Sequence, residues 1–188
     1  GVTNNDIMRL FLKKGISITL LDQKPAEKLG AIYTELQQAG VQFELGPTYL
    51  DHLERYDVVF RAPGMYYNHP KLQEARQNGV VITTEMEVFL EFCPCRCYAV
   101  TGSDGKTTTT TLISEFFQES GVTVHKGGNI GRALLPIIET IQENDVAVVE
   151  LSSFQLLSMR QSPDVAVITN IAPNHLDVHG TMEEYIAA

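Results

Sequence analysis

Short, continuous apolar runs alternate along this chain with stretches whose apolar residues recur every three or four positions. The first kind predicts buried strands and the second amphipathic helices. Their regular alternation predicts a parallel α/β architecture. Ile7, Met8, Phe11 and Leu12 share one helical face, and residues 16–21 read as a strand. Leu29, Ile32, Tyr33 and Leu36 recur at helical spacing until Gly40 stops them. Strands follow at 41–45 and 57–60, then a short helix carrying Leu72 and Ala75 and a strand at 80–82.

A second unit begins after a helix at 85–90 and a link at 92–96. A strand at 97–101 runs into a glycine turn, and a helix to about 120 places Leu112, Ile113, Phe116 and Phe117 on one face. Strands at 146–149 and 165–168 are apolar at every position, as expected of strands covered on both faces. Two domains are expected, 1–93 and 94–188. Residues 1–4 read as a turn entering a helix with no strand ahead of it, so a first strand is expected before Gly1. A helix from about 181 is still running at Ala188, so the second domain is expected to continue beyond it.

Composition narrows the function classes. The 188 residues carry a net charge of −9, which argues against a nucleic-acid surface built on clustered Lys and Arg. No apolar run approaches the length of a bilayer span, and the first residues lack a signal-peptide pattern, so a cytoplasmic protein is expected. Cys93, Cys95 and Cys97 lie too close for paired tetrahedral metal ligands and read as reduced thiols at a domain junction.

The densest chemical signal is Ala99-Val100-Thr101-Gly102-Ser103-Asp104-Gly105-Lys106-Thr107-Thr108. A strand, a glycine turn and a helix start together offer backbone N–H groups and a helix N-terminus to phosphate. Gly102 and Gly105 permit close approach, Lys106 reaches the outer phosphates, and the Thr107 hydroxyl suits magnesium. Only two residues separate the glycines, where the common phosphate loop has four. Glu150, at the end of an apolar strand, is placed to hold magnesium opposite the loop. His175, after the third strand of the same unit, is a further candidate metal ligand. His179, His52 and His69 have no such support. The turn Lys126-Gly127-Gly128-Asn129-Ile130-Gly131 reads equally as a second approach to substrate or as a tight turn with a helix cap.

Together these segments resemble the Mur ligase family, which joins amino acids to the nucleotide-linked precursor of peptidoglycan. The carrying motifs are the short Thr-Gly-Ser-Asp-Gly-Lys-Thr loop, the Gly-Gly-Asn-Ile-Gly turn and the Asn170…His175-Leu176-Asp177 segment. Glu150-Leu151-Ser152-Ser153-Phe154-Gln155-Leu156 takes the form of the member that adds D-glutamate, and Ala62-Pro63-Gly64 fits that choice. The resemblance implies a Rossmann-like uridine-nucleotide-binding domain followed by a truncated, phosphate-loop-type parallel α/β domain for ATP. It implies that Gly102, Ser103, Asp104, Gly105, Lys106, Thr107 and Thr108 hold ATP, and that Thr107, Glu150 and His175 hold Mg2+. Lys106, Glu150 and His175 would be the catalytic residues. Gly1, Val2, Thr3, Asp22, Gln23, Asn129, Ser152 and Gln155 would touch the nucleotide-sugar.

The implied substrates are UDP-N-acetylmuramoyl-L-alanine and D-glutamate, joined through an acyl phosphate by a monomer that binds no nucleic acid and enters no membrane. The implied setting is cell-wall synthesis, and through it cell shape and division. Asn174 departs from the Asp of many members, and a carbamylated lysine that bridges metal is expected at the position after Ala188. Rival readings remain. A dinucleotide oxidoreductase would use Asp22, but Asn4 stands where its fingerprint needs glycine. A non-catalytic ATP module would bind ATP without sugar-nucleotide-dependent turnover. Another Mur or folylpolyglutamate-type ligase would differ at 152–155.

Overall fold

The computed structural model describes residues 5–62 and 64–188. Gly1, Val2 and Thr3, expected at the nucleotide-sugar, lie outside the described residues, as does Pro63. The chain divides into two compact units: Gly1–Ala62 with Asn68–Ile82, and Pro63–Tyr67 with Thr83–Ala188.

In the first unit, helix α1 (Asn5–Lys13) precedes strand β1 (Thr19–Asp22). Helices α2 (Ala26–Leu29) and α3 (Ala31–Gln38) lead to β2 (Gln42–Leu45), which pairs parallel to β1 with Leu20 opposite Phe43. The single helix expected through Leu29 and Leu36 is two, because Gly30 at φ +62° breaks it. Met8, Leu36 and Val41 form the buried centre, flanked by Leu12, Ile18, Leu20, Ile32 and Phe43. A second strand–helix–strand follows: β3 (Val58–Phe60), α4 (Pro70–Gln77) and β4 (Val81–Thr83). Pro70 opens α4 without loss, since a first-turn N–H has no helical partner, and the His69 ring accepts from the Lys71 N–H at 3.2 Å. Leu72 and Ala75 are buried as the spacing predicted.

The second unit holds α5 (Glu85–Phe92), β5 (Arg96–Thr101), α6 (Lys106–Glu119), β6 (Val124–Gly128), β7 (Val146–Glu150), α7 (Ser153–Leu156), β8 (Val165–Ile168), α8 (Leu176–His179) and α9 (Met182–Ala187). Its sheet runs β6-β7-β5-β8 with every pair parallel. All of β7 is buried, with Ala147, Val148 and Val149 at 0% exposure.

Two expectations fail here. β8 is not covered on both faces here: among the described strands it lies at the edge of the sheet, with Val165 38% exposed and Ile168 61%. On α6 the apolar residues do not form the buried face, since Leu112 is 45% exposed and Phe116 68%. Thr110 and Ser114 are buried instead. Their hydroxyls donate to the carbonyls of Lys106 and Thr110, each at 2.8 Å. Small side chains with internally satisfied hydroxyls bring the helix backbone close to the sheet. Phe117 does meet the sheet, its ring 4.9 Å from that of Tyr98.

Candidate functional site

The site forms at the carboxyl ends of β5, β7 and β6, where open parallel sheets place their ligands. Strand β5 delivers the chain into 102–105. Gly102 sits at φ +130°, and a Cβ there would overlap the Thr169 hydroxyl and stand 2.8 Å from the Asn170 carbonyl oxygen. Only glycine allows that approach. Gly105, at φ +80°, turns the loop into α6, whose start leaves the N–H groups of Lys106, Thr107 and Thr108 without intrahelical partners. These donors and the helix dipole suit an anion.

The loop is pinned from one side by the segment after β8. Ser103 N–H donates to the Asn170 carbonyl at 3.0 Å, and Asp104 N–H to Asn170 Oδ1 at 3.1 Å. Thr169 and Asn170 side chains return bonds to the Asp104 carbonyl at 2.6 and 2.9 Å. The buried Ser103 hydroxyl donates to the Ala172 carbonyl and accepts from the Ala172 N–H, both at 2.8 Å. Its one proton being used, the Tyr185 hydroxyl at 2.9 Å is the donor in their bond. Asn174, at the position where acid was expected, donates to the Ser103 carbonyl at 3.4 Å. Thr169 and Tyr185 had no role in the sequence reading, and Asn170 stood there only as part of a motif, because their work is to shape a loop and no spacing rule marks that. Lys106 Nζ lies over the loop, donating to the carbonyls of Gly102 at 2.6 Å and Ser103 at 2.9 Å. An ammonium has three donors, so one is left to point elsewhere.

Opposite the loop stands Glu150, 2% exposed. Its Oε2 accepts from the Thr107 hydroxyl at 2.6 Å and its Oε1 from the Asn129 amide at 2.9 Å. Three residues from three elements, picked out separately in the sequence, therefore meet. Asn129 is held further by its N–H, which donates to the Glu150 carbonyl at 2.8 Å. Gly128 at φ +94° permits this, since a Cβ would collide with that same carbonyl.

The remaining candidates are exposed or engaged with other partners. Ser152 and Gln155 form a reciprocal cap on α7: Ser152 N–H donates to Gln155 Oε1 at 2.9 Å, and Gln155 N–H to Ser152 Oγ at 3.4 Å. His175 is exposed, in the left-handed conformation at φ +51°, with its ring 5.1 Å from Phe154. His179, set aside in the sequence, is 5% exposed, bonded to Ser153 Oγ at 2.9 Å and stacked on Phe154. Thr108 and Gln23 are exposed. Asp22 lies in the first unit at the end of β1, its Oδ1 accepting from the Lys24 N–H at 2.8 Å. A half-buried carboxylate outside the site, Glu85, accepts from the N–H groups of Leu134 and Leu135 at 3.0 and 2.8 Å. Burial holds its carboxyl above the usual range, against the pull of those two bonds.

Magnesium prefers oxygen ligands, commonly one or two carboxylates with phosphate oxygens and water. The buried Glu150 carboxylate, met only by a hydroxyl and an amide, fits that preference. Among the described residues no three His, Cys, Asp or Glu side chains converge to hold a metal ion by themselves. No described helix is long and apolar enough to cross a membrane.

Comparison with known proteins gives the family. The Mur ligase MurD-like N-terminal domain matches residues 1–84, and the Mur ligase middle domain matches residues 100–188. UDP-N-acetylmuramoylalanine--D-glutamate ligase of Clostridium botulinum (strain Hall) is 47% identical over 188 residues, all of this chain and 41% of its own length. The ligase of the same name from Ruminiclostridium cellulolyticum is 49% identical, again over the whole chain and 40% of its own. The chain thus spans about two fifths of these curated relatives. Among solved structures, UDP-N-acetylmuramate:L-alanyl-gamma-D-glutamyl-meso-diaminopimelate ligase from Neisseria meningitides aligns with TM-score 0.54 and 16% identity. It covers 99% of this chain and 63% of its own, a likeness of fold. With both domain matches in chain order and the phosphate loop, Glu150 and Asn129 gathered in the second, the chain belongs to the Mur ligase family.

Proposed function

We propose that the intact protein is an ATP-dependent ligase that joins D-glutamate to UDP-N-acetylmuramoyl-L-alanine during peptidoglycan precursor synthesis in the cytoplasm. The observation that carries this reading is the meeting of Thr107 and Asn129 on the buried Glu150 carboxylate beside the phosphate loop. The names of the relatives, identical at nearly half of all positions, supply the substrates. Residues 1–93 are assigned to the uridine nucleotide-sugar, with Asp22 and Gln23 as contacts, and residues 94–188 to ATP.

In this reading the N–H groups at the start of α6 and Lys106 hold the phosphates. Thr107 and Glu150 are the magnesium ligands, with His175 a further one. When bound, magnesium neutralises charge on the transferring phosphoryl group. Asn129 and Thr107 keep Glu150 in one rotamer, so its carboxylate would hold magnesium beside the phosphates without rearrangement. The alanyl carboxylate takes the γ-phosphoryl group from ATP, giving an acyl phosphate and ADP. The D-glutamate amine attacks the acyl carbon, phosphate leaves with the electron pair of its bond to that carbon, and the nitrogen gives one proton to the departing phosphate. Lys106 adds positive charge where negative charge gathers during the first step.

The test is product formation by the intact protein with both substrates, ATP and magnesium, followed by mass spectrometry. A product heavier by one glutamate residue is expected, dependent on D- rather than L-glutamate. Lys106→Ala should cost at least about 3 kcal/mol of transition-state stabilisation. Turnover with another amino acid in place of D-glutamate, or Lys106→Ala activity within tenfold of wild type, would overturn the reading.

A further inference from the structure

Cys93, Cys95 and Cys97 stand within five residues, take no part in the ligase site, and are all free thiols. Cys93 caps the C-terminus of α5, and Cys95 precedes β5 by one position. Pro94 between them fixes one backbone torsion. The two sulfur atoms face each other at 3.6 Å, and Cys93 Sγ lies 3.5 Å from the Cys95 carbonyl oxygen. Cys93 is half-buried, whereas Cys95 and Cys97 are buried at 6% and 3% exposure. One thiol of the facing pair is open to a small reagent, and its neighbour is held against it.

We propose that Cys93 and Cys95 are a reversible dithiol–disulfide site, oxidised by exchange with a low-molecular-weight disulfide such as glutathione disulfide. The Cys93 thiolate attacks one sulfur of that disulfide, forming a mixed disulfide and releasing one glutathione thiolate. Cys95 gives its proton to water and attacks Cys93 Sγ, expelling the second glutathione thiolate. The two cysteines lose two electrons and two protons, and glutathione disulfide becomes two glutathione thiols. Closure brings the sulfurs from contact to a bond of about 2.05 Å. The second step is the slow one. Burial pushes the Cys95 thiol up to about 12, aided by Cys93 and by Asp145, itself paired with His125, against a pull from the Ala147 N–H. A thiol held this high is rarely a thiolate at neutral pH, so closure speeds up as pH rises. This site stands independently of the ligase reading.

Its test uses a feature of the sequence: trypsin cuts after Arg96, leaving Cys93 and Cys95 in peptide 77–96 and Cys97 in peptide 97–106. The intact protein is incubated with glutathione disulfide at alkaline pH, alkylated after denaturation, digested and weighed. Peptide 77–96 is expected unalkylated and lighter by two hydrogens, returning to double alkylation after dithiothreitol. Peptide 97–106 should be alkylated throughout. Cys95→Ser should stop at a glutathione adduct on Cys93, and Cys97→Ser should behave as wild type. Two alkyl groups retained on peptide 77–96, a lasting glutathione adduct in wild type, or a cross-link to peptide 97–106 would each overturn the proposal.

Discussion

Strands β7 and β8 flank β5 on opposite sides, and their sequences, Val-Ala-Val-Val-Glu and Val-Ala-Val-Ile, are nearly interchangeable. Their environments are opposite. β7 lies between β6 and β5 and is buried at every residue, whereas β8 pairs with β5 alone among the described strands and exposes Val165 and Ile168. An apolar run states that a strand can be buried; its neighbours decide whether it is. The contrast extends to the chemical residues at the end of β7 and after β8. Glu150 has both carboxylate oxygens bonded, while His175 is exposed against one ring.

The strongest test of this contrast is chemical. Glu150→Ala in the intact protein should lower kcat/KM for ligation about a hundred- to a thousandfold, because a preorganised carboxylate that would hold the neutralising cation is lost. His175→Ala should lower ligation as well, but leave the unfolding free energy within about 0.5 kcal/mol of wild type, as for an exposed residue. An active Glu150→Ala enzyme would remove the triad from the mechanism.

Packing offers the next measure. Val148→Ala deletes a side chain at 0% exposure and should cost about 2 kcal/mol in urea unfolding of chain 1–188. Ile168→Ala, at 61% exposure, should cost less than about 0.5 kcal/mol. Equal costs would mean that β8 is covered after all.

The smallest effect concerns the acid that opens β7. Asp145 Oδ2 accepts from the Gln142 N–H at 2.9 Å and meets His125 Nε2 at 2.8 Å. The Gln142 bond, then that to His125, hold its carboxyl below the usual carboxylate range. A lowered folded-state pKa contributes stability that is present above the unfolded value and lost as pH falls through the folded one. Asp145→Asn should therefore be less stable than wild type at neutral pH, and the gap should close on acidification below the ordinary carboxylate range. A gap that is constant with pH would assign the effect to packing.

Much of the site was legible locally. The spacing of Gly102, Gly105, Lys106 and Thr107 marked the strand–turn–helix geometry of 101–106, because backbone conformation and helix start are short-range properties. Glu150 was legible as a strand-end carboxylate. The family likeness assigned Asn129, Ser152 and Gln155 to substrate, but the structure shows that their side chains also hold neighbours: Asn129 bonds Glu150, and the other two cap α7. The apolar stripe on α6 was misread, because Leu112 and Phe116 look like core until the sheet is seen to meet Thr110 and Ser114.

By itself the sequence determined the alternation of strands and helices, the glycine loop ahead of α6 and the polar residues at the strand ends, though it read residues 126–131 as a turn where β6 runs to Gly128. Each depends on periodicity or on backbone permission within a few residues. Only the tertiary structure decided that β7 is central and β8 an edge, that Thr169, Asn170 and Tyr185 shape the loop, and that Cys93 faces Cys95. Those outcomes depend on which distant segments share a hydrogen-bonded edge, and no local pattern encodes strand order.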